Sequence, residues 1–138
     1  MAITYFNPAR DLIVVESMVW GPAGRARLSL AVDTASAATV IVPHSIDDLG
    51  YSPRDGIAIT SGRSAIGKEQ GYTLKVVRLA ALGFVFRNFE VNVFDLAAGH
   101  GIDGLIGLSF LRNFDYEVRS VVGRIAVRRA EQDEPVSW

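Results

Sequence analysis

Asp33-Thr34-Ala35-Ser36 sets a carboxylate beside two hydroxyls, with nothing larger than a methyl group between them. Side chains this small leave the backbone open, so amide N–H groups and both hydroxyls can gather around the Asp33 carboxylate. A carboxylate held in that way suits general acid–base chemistry, where protonation state and direction both matter. Taken alone, an Asp-Thr pair is also what a turn or a helix N-cap looks like.

The remaining reactive side chains offer weaker patterns. Asp103 has no hydroxyl after it, and Asp-Gly is a common turn pair, so it reads as a turn aspartate rather than a second acid. His44 and His100 are the only histidines. Neither has a carboxylate or histidine beside it at metal-ligand spacing, which argues for no metal site. Ser109 lies outside any G-x-S-x-G arrangement, so nucleophilic catalysis has no constellation. Gly99-His100-Gly101-Ile102-Asp103-Gly104 matches the dinucleotide pattern by letter, but an apolar strand rather than a long helix follows it. Arg119, Arg124, Arg128 and Arg129 read as a solvated strand face.

The elements around Asp33 are strands. Leu28, Leu30 and Val32 alternate with smaller or more polar residues, the period of a half-buried strand that ends at the aspartate. Thr39, Val40, Ile41 and Val42 form a second β-branched run, stopped by Pro43. Residues 11–20 predict an earlier strand, turned back through Gly21-Pro22-Ala23-Gly24. Residues 44–50 predict one or two helical turns. Residues 57–62 and 72–79 predict a long hairpin with a polar, glycine-bearing tip over 61–71. Residues 84–96 predict a strand whose apolar phase shifts at Arg87-Asn88, as at a bulge or a break. A strand at 105–107, a short helix over 108–113 and a closing hairpin at 114–119 and 122–127 complete the chain.

Ala31-Val32-Asp33-Thr34-Ala35-Ser36 resembles the active-site run of the retropepsin-like (retroviral-type) single-domain aspartic proteases, two hydrophobic residues followed by Asp-Thr-Gly-Ser or Asp-Thr-Gly-Ala. Leu105-Ile106-Gly107, about seventy residues downstream, is similar to that family's later hydrophobic-hydrophobic-Gly strand before a short helix. The resemblance implies an all-β domain over residues 1–130, a closed six-stranded-type barrel with one or two short helices and a flap hairpin. Residues 131–138 form a polar tail. It implies Asp33 as the catalytic acid, Thr34, Ala35 and Ser36 as its support, and Ser61, Gly62 and Arg63 as flap residues that bind substrate. Leu105, Ile106 and Gly107 are the structural strand. No cofactor is implied.

Peptide hydrolysis by carboxylates uses two of them, and two carboxyl groups about 3 Å apart share one proton because they cannot both ionise. With one Asp-Thr-x-Ser element per chain, the resemblance implies a homodimer in which each protomer brings one Asp33. Thr34 would bond across the two-fold axis, and the Ala35 amide and Ser36 hydroxyl would donate to the carboxylate. The substrate would be an extended peptide or protein. Ala35 stands where the family has glycine. An alanine there costs about 1–2 kcal/mol if the residue needs positive φ and almost nothing otherwise. A dimerisation or peptide-binding module that no longer cleaves is the alternative.

Composition bounds the rest. With 138 residues, 49% of them hydrophobic and 21% charged, the chain can build one proper core. A net charge of −1 gives no reason to expect nucleic acid or an anionic membrane as partner. There is no cysteine, which excludes disulfides and thiolate chemistry and fits a reducing compartment. No signal-peptide pattern and no run near the ~20 apolar residues of a membrane span is visible, so the expectation is cytoplasmic.

Overall fold

The computed structural model describes residues 1–64, 67–96 and 101–129, with backbone alone over 60–64 and 67–70. The expected tail at 131–138 lies outside the described residues.

β2 (Val14–Gly21) and β3 (Gly24–Val32) form the hairpin that leads to Asp33, in register from Val14 opposite Ala31 to Gly21 opposite Gly24. Val15, Val19, Leu28 and Leu30 are buried from its inner face, as alternation demands. β8 (Gly104–Ile106) runs parallel to β3 and antiparallel to β4 (Val40–Ile41), so a late strand is inserted between two early ones. β4 then runs parallel to β7 (Phe84–Val93), and β7 pairs with β6 (Gly67–Ala81). Pairs from Met18–Ala80 to Trp20–Arg78 return β6 to β2. The ring β2-β3-β8-β4-β7-β6 is therefore a closed six-stranded barrel. β5 (Ala58–Ser64) stays outside the closure, and among the described residues its ladder partner is β6.

A second sheet, β1 (Ala2–Tyr5), β10 (Arg124–Arg129) and β9 (Phe114–Arg119), packs beside the barrel. Five phenylalanines from β7, α2 (Leu108–Leu111) and β9 share that side. Phe110 is fully buried, with ring centroids 5.2, 5.6 and 5.5 Å from Phe86, Phe89 and Phe114. Such pairs add about 0.5–1.5 kcal/mol each beyond the area they bury.

Three sequence expectations are corrected. The strand expected through Val42 ends at Ile41, because Pro43 has the fixed φ of a first helical position and opens α1 (Pro43–Asp48). The N-terminal residues, read without an element, supply β1, too short to show a period. The hairpin tip expected over 61–71 is ladder through Ser64 opposite Gly67. The phase shift in β7 is a break and not an inserted residue. Val76–Phe89 and Arg78–Arg87 keep one register, Val77 and Asn88 drop out of the ladder between them, and Asn88 has φ +51°. No helix among the described residues is long and apolar enough to cross a membrane.

Candidate active site

Asp33 is held by the strand that was inserted last. Its amide donates to the Ile106 carbonyl at 2.9 Å, and the Val32 amide donates to Ile13 at 2.8 Å. β3 thus ends pinned on both sides. The Ala35 amide then donates to Asp33 Oδ1 at 2.9 Å, and the Ser36 amide to the Asp33 carbonyl at 3.2 Å. This local turn fixes the direction of the carboxylate. Asp33 is half-buried, whereas Thr34 and Ala35 face solvent. Ser36 departs from expectation: its hydroxyl donates to the Ala38 carbonyl at 2.7 Å and not to Asp33.

The loop is strapped down from below. Leu108 and Ser109, at the start of α2, donate their amides to the Ser36 and Ala37 carbonyls at 2.8 and 2.9 Å. Thr39, 1% exposed, stands 2.9 Å from the Ser109 hydroxyl, accepts from the Gly107 amide at 3.3 Å, and gives its own amide to Ser109 Oγ at 3.1 Å. Gly107 is required by closeness. A Cβ there would lie 2.0 Å from the Ala38 oxygen, nearer than any real side-chain carbon approaches a carbonyl. The structure therefore brings Asp33, Ala35, Ser36, Ile106 and Gly107 together.

Ala35 is not among the residues with positive φ, which outside glycine are Leu82 and Asn88 among the described residues. Its methyl group carries none of the left-handed cost.

Ser61, Gly62 and Arg63 sit on β5, opposite Gln70, Glu69 and Lys68. They belong to the hairpin outside the barrel, where β5 is laddered to β6. Leu105 is the middle residue of β8 and is half-buried. Asp103 works as a clamp: its carboxylate accepts from the Ser29 amide at 2.8 Å, its amide donates to Ser29 at 2.7 Å, and its carbonyl accepts from Val42 at 2.9 Å. It ties β8 to β3 and β4. Exposed His44 lies 3.3 Å from Asp48 one helical turn on. Arg119 and Arg128 face Glu117 at 2.6 Å and Asp115 at 3.6 Å, and the Arg119 bond holds the Glu117 carboxyl below its usual range. His100 lies outside the described residues.

Sequence reading missed Thr39 and Ser109, because two hydroxyls seventy positions apart give no local pattern. The available signal was a threonine opening an apolar run and a serine two places after Gly107. It also missed Tyr51, whose hydroxyl donates to the Trp20 carbonyl at 2.7 Å and accepts from the Val77 amide at 2.9 Å. Burial raises its pKa above 10.0, the Val77 amide opposes that, and nearby Asp55 adds to it.

A family model described as aspartyl protease matches residues 19–110, more than half of the chain. The fold is similar to that of a retropepsin-like aspartic protease from Rickettsia conorii, with a TM-score of 0.66 at 19% identity, covering 89% of this chain and 94% of that one. It is also similar to EIAV protease complexed with the inhibitor HBY-793 (TM-score 0.56, 14% identity, 75% of this chain and 88% of that one). The retroviral protease-like domain of Ddi1 from Leishmania major gives a TM-score of 0.56 at 14% identity, over 78% of this chain and 81% of that one. Curated protein sequences give no match.

Proposed function

Since the chain belongs to the aspartyl protease family and has the retropepsin-like fold, we propose that it is an aspartic endopeptidase acting as a homodimer, with one Asp33 from each protomer. The observation that carries this is the Asp33 turn. A carboxylate is fixed by the Ala35 amide at 2.9 Å, on a loop whose Thr34 and Ala35 are open to a second copy. One chain supplies one such acid, so the second must come from a second chain.

In the dimer the Asp33 pair shares a proton. The ionised member takes a proton from water as the water oxygen bonds to the scissile carbonyl carbon, and the protonated member gives its proton to the carbonyl oxygen. The tetrahedral intermediate collapses as the carbon–nitrogen bond breaks. The carboxyl group that took the water proton gives it to the leaving amine, and the other carboxylate takes a proton back from a hydroxyl of the intermediate as the product carbonyl re-forms. Thr34 bonds across the axis and holds the two loops at one spacing. The Ala35 amide keeps Asp33 Oδ1 aimed while the charge moves. The β5–β6 hairpin, with Ser61, Gly62 and Arg63, serves as the flap and receives an extended peptide by strand addition.

The test is cleavage of a broad peptide library between about pH 3 and 7, where a shared-proton pair works only between its two titrations. Cleavage peaks in mildly acidic solution, and Asp33→Asn abolishes it while sedimentation still gives a dimer. Cleavage that persists in Asp33→Asn rejects the assignment. One observation favours the second reading, a peptide-binding dimer without cleavage: Ala35 replaces the family's glycine on the exposed side of the loop. Silence from both wild type and Ala35→Gly would select it.

A further inference from the structure

β6 buries both Leu74 and Val76 and, beyond Val77, both Leu79 and Ala81. In a regular strand positions 76 and 79 face opposite sides, so the strand changes face at Val77. β7 makes the matching change at Asn88, which is why the register survives. At this level no ladder pair joins β6 to β7. On its other edge, β2 pairs with β6 only from Arg78 to Ala80 and β5 only as far as Thr73. The backbone of β6 is therefore bare on both edges at one residue, where the barrel gives way to the hairpin.

Tyr51 occupies that gap. Its hydroxyl accepts from the Val77 amide and donates to the carbonyl of Trp20, the residue that makes the last β2–β6 pair. The ring is 7% exposed and lies against Gly21, where a Cβ would sit 2.6 Å from Tyr51 Cε2. From Tyr51 a short self-bonded segment runs into the hairpin's other strand. The Ser52 amide donates to Asp55 Oδ2 at 2.8 Å, the Arg54 amide to Ser52 Oγ at 3.3 Å, and the Ile57 amide to the Thr73 carbonyl at 2.7 Å. One side chain thus meets β2, β6 and the lead into β5.

We propose that Tyr51 is a positioning residue that sets the angle of the β5–β6 hairpin, by pinning β6 to β2 at the bend where no ladder holds it. Its bearing on substrate rests on reading that hairpin as the flap; its bearing on the hairpin itself does not. Removing the hydroxyl leaves a part-buried amide and carbonyl without that partner, and the opening they relieve is of the hairpin root rather than of the barrel.

The experiment is amide hydrogen exchange on wild type and Tyr51→Phe, joined to peptide kinetics. Exchange over residues 57–64 and at Val77 rises about tenfold in Tyr51→Phe, while amides of Leu30, Ile106 and Ile125 hold their rates. KM rises about fivefold and kcat stays within twofold. Unchanged exchange in the hairpin, or a rise spread evenly over the barrel, overturns the proposal. So does a hairpin that loosens in an active enzyme without any change in KM. If no peptide is cleaved, the exchange arm still decides for or against Tyr51, and the failure falls on the protease reading. Should Tyr51→Phe not fold, native-state exchange of wild type in low urea replaces it. Val77 and residues 57–64 opening together below global unfolding supports the pin; Val77 opening only with the barrel overturns it.

Discussion

The two halves of the proposed site are built on opposite principles. The Asp33 floor is fastened from every direction: β8 lies between β3 and β4, Asp103 clamps all three, α2 donates to the loop from below, and Thr39 with Ser109 fills the space beneath Gly107. Among the described residues, the β5–β6 hairpin is fastened along its β7 edge and at the Tyr51 hydroxyl. A floor that must hold a carboxylate in one direction uses redundant bonds, so that no single opening frees it. An arm that must admit a chain uses few, so that opening it leaves the barrel intact.

Gly107→Ala tests the floor most severely. The added methyl meets the Ala38 oxygen at 2.0 Å, and only movement of the Asp33 loop or of β8 relieves it. We expect a loss of about 3 kcal/mol or more in urea unfolding. A variant as stable as wild type would show that the floor yields as easily as the hairpin.

Thr39→Val is expected to cost about 1–3 kcal/mol, because it leaves the buried Gly107 amide without its side-chain acceptor and removes the Thr39–Ser109 hydroxyl contact. Adding Ser109→Ala sharpens the test. If the two hydroxyls act as one strap, the double variant loses clearly less than the two single losses together. Simple additivity would mean that the floor is a set of independent bonds.

Ala35→Gly discriminates by sign. With negative φ at Ala35, glycine only adds freedom to the unfolded chain, and stability should fall by about 0.4–1 kcal/mol. A gain in stability, read from the urea midpoint, would mean that the loop is under the strain that its backbone angles deny.

The smallest effect belongs to the hairpin side. Burial raises Tyr51 above 10.0, so the unfolded chain releases that proton near pH 10.0 while the folded chain retains it to higher pH. The contribution is complete below pH 10.0 and is lost as pH rises through the folded value. Urea midpoints should therefore fall from about pH 9 to 11, and Tyr51→Phe should flatten part of that fall. Tyr72, raised by burial and by Asp47 and Asp55, keeps its share. An equal slope in both proteins would show that Tyr51 titrates as it does in the unfolded chain.

What was legible in the sequence follows the range of the physics. Asp33 and Leu105-Ile106-Gly107 could be read because each sits in a local apolar period with its own turn chemistry. The β2–β3 hairpin and the closing hairpin were legible for the same reason. Barrel closure came only with the resemblance and not from any local period, since it depends on a two-residue β4 and on three β2–β6 pairs. The phase shift at Arg87-Asn88 was visible, but its partner at Val77 was hidden in a run that alternates well enough to pass for one straight strand. Ser36 was misassigned because sequence gives a hydroxyl's position in the chain and not its direction. Tyr51, between a helix and a turn, had no pattern to stand in.

The insertion of β8 between β3 and β4 also sets an order of events. Ser29 and Asp103 are 74 positions apart, so the β2–β3 and β6–β7 hairpins can close locally long before the strand that joins their ends arrives. Contacts of that separation come late and slowly in folding. On a ribosome, the Asp33 amide has no Ile106 carbonyl to meet until β8 has been made. A nascent chain therefore carries Asp33, the proposed catalytic acid, without the frame that aims it until β8 has followed.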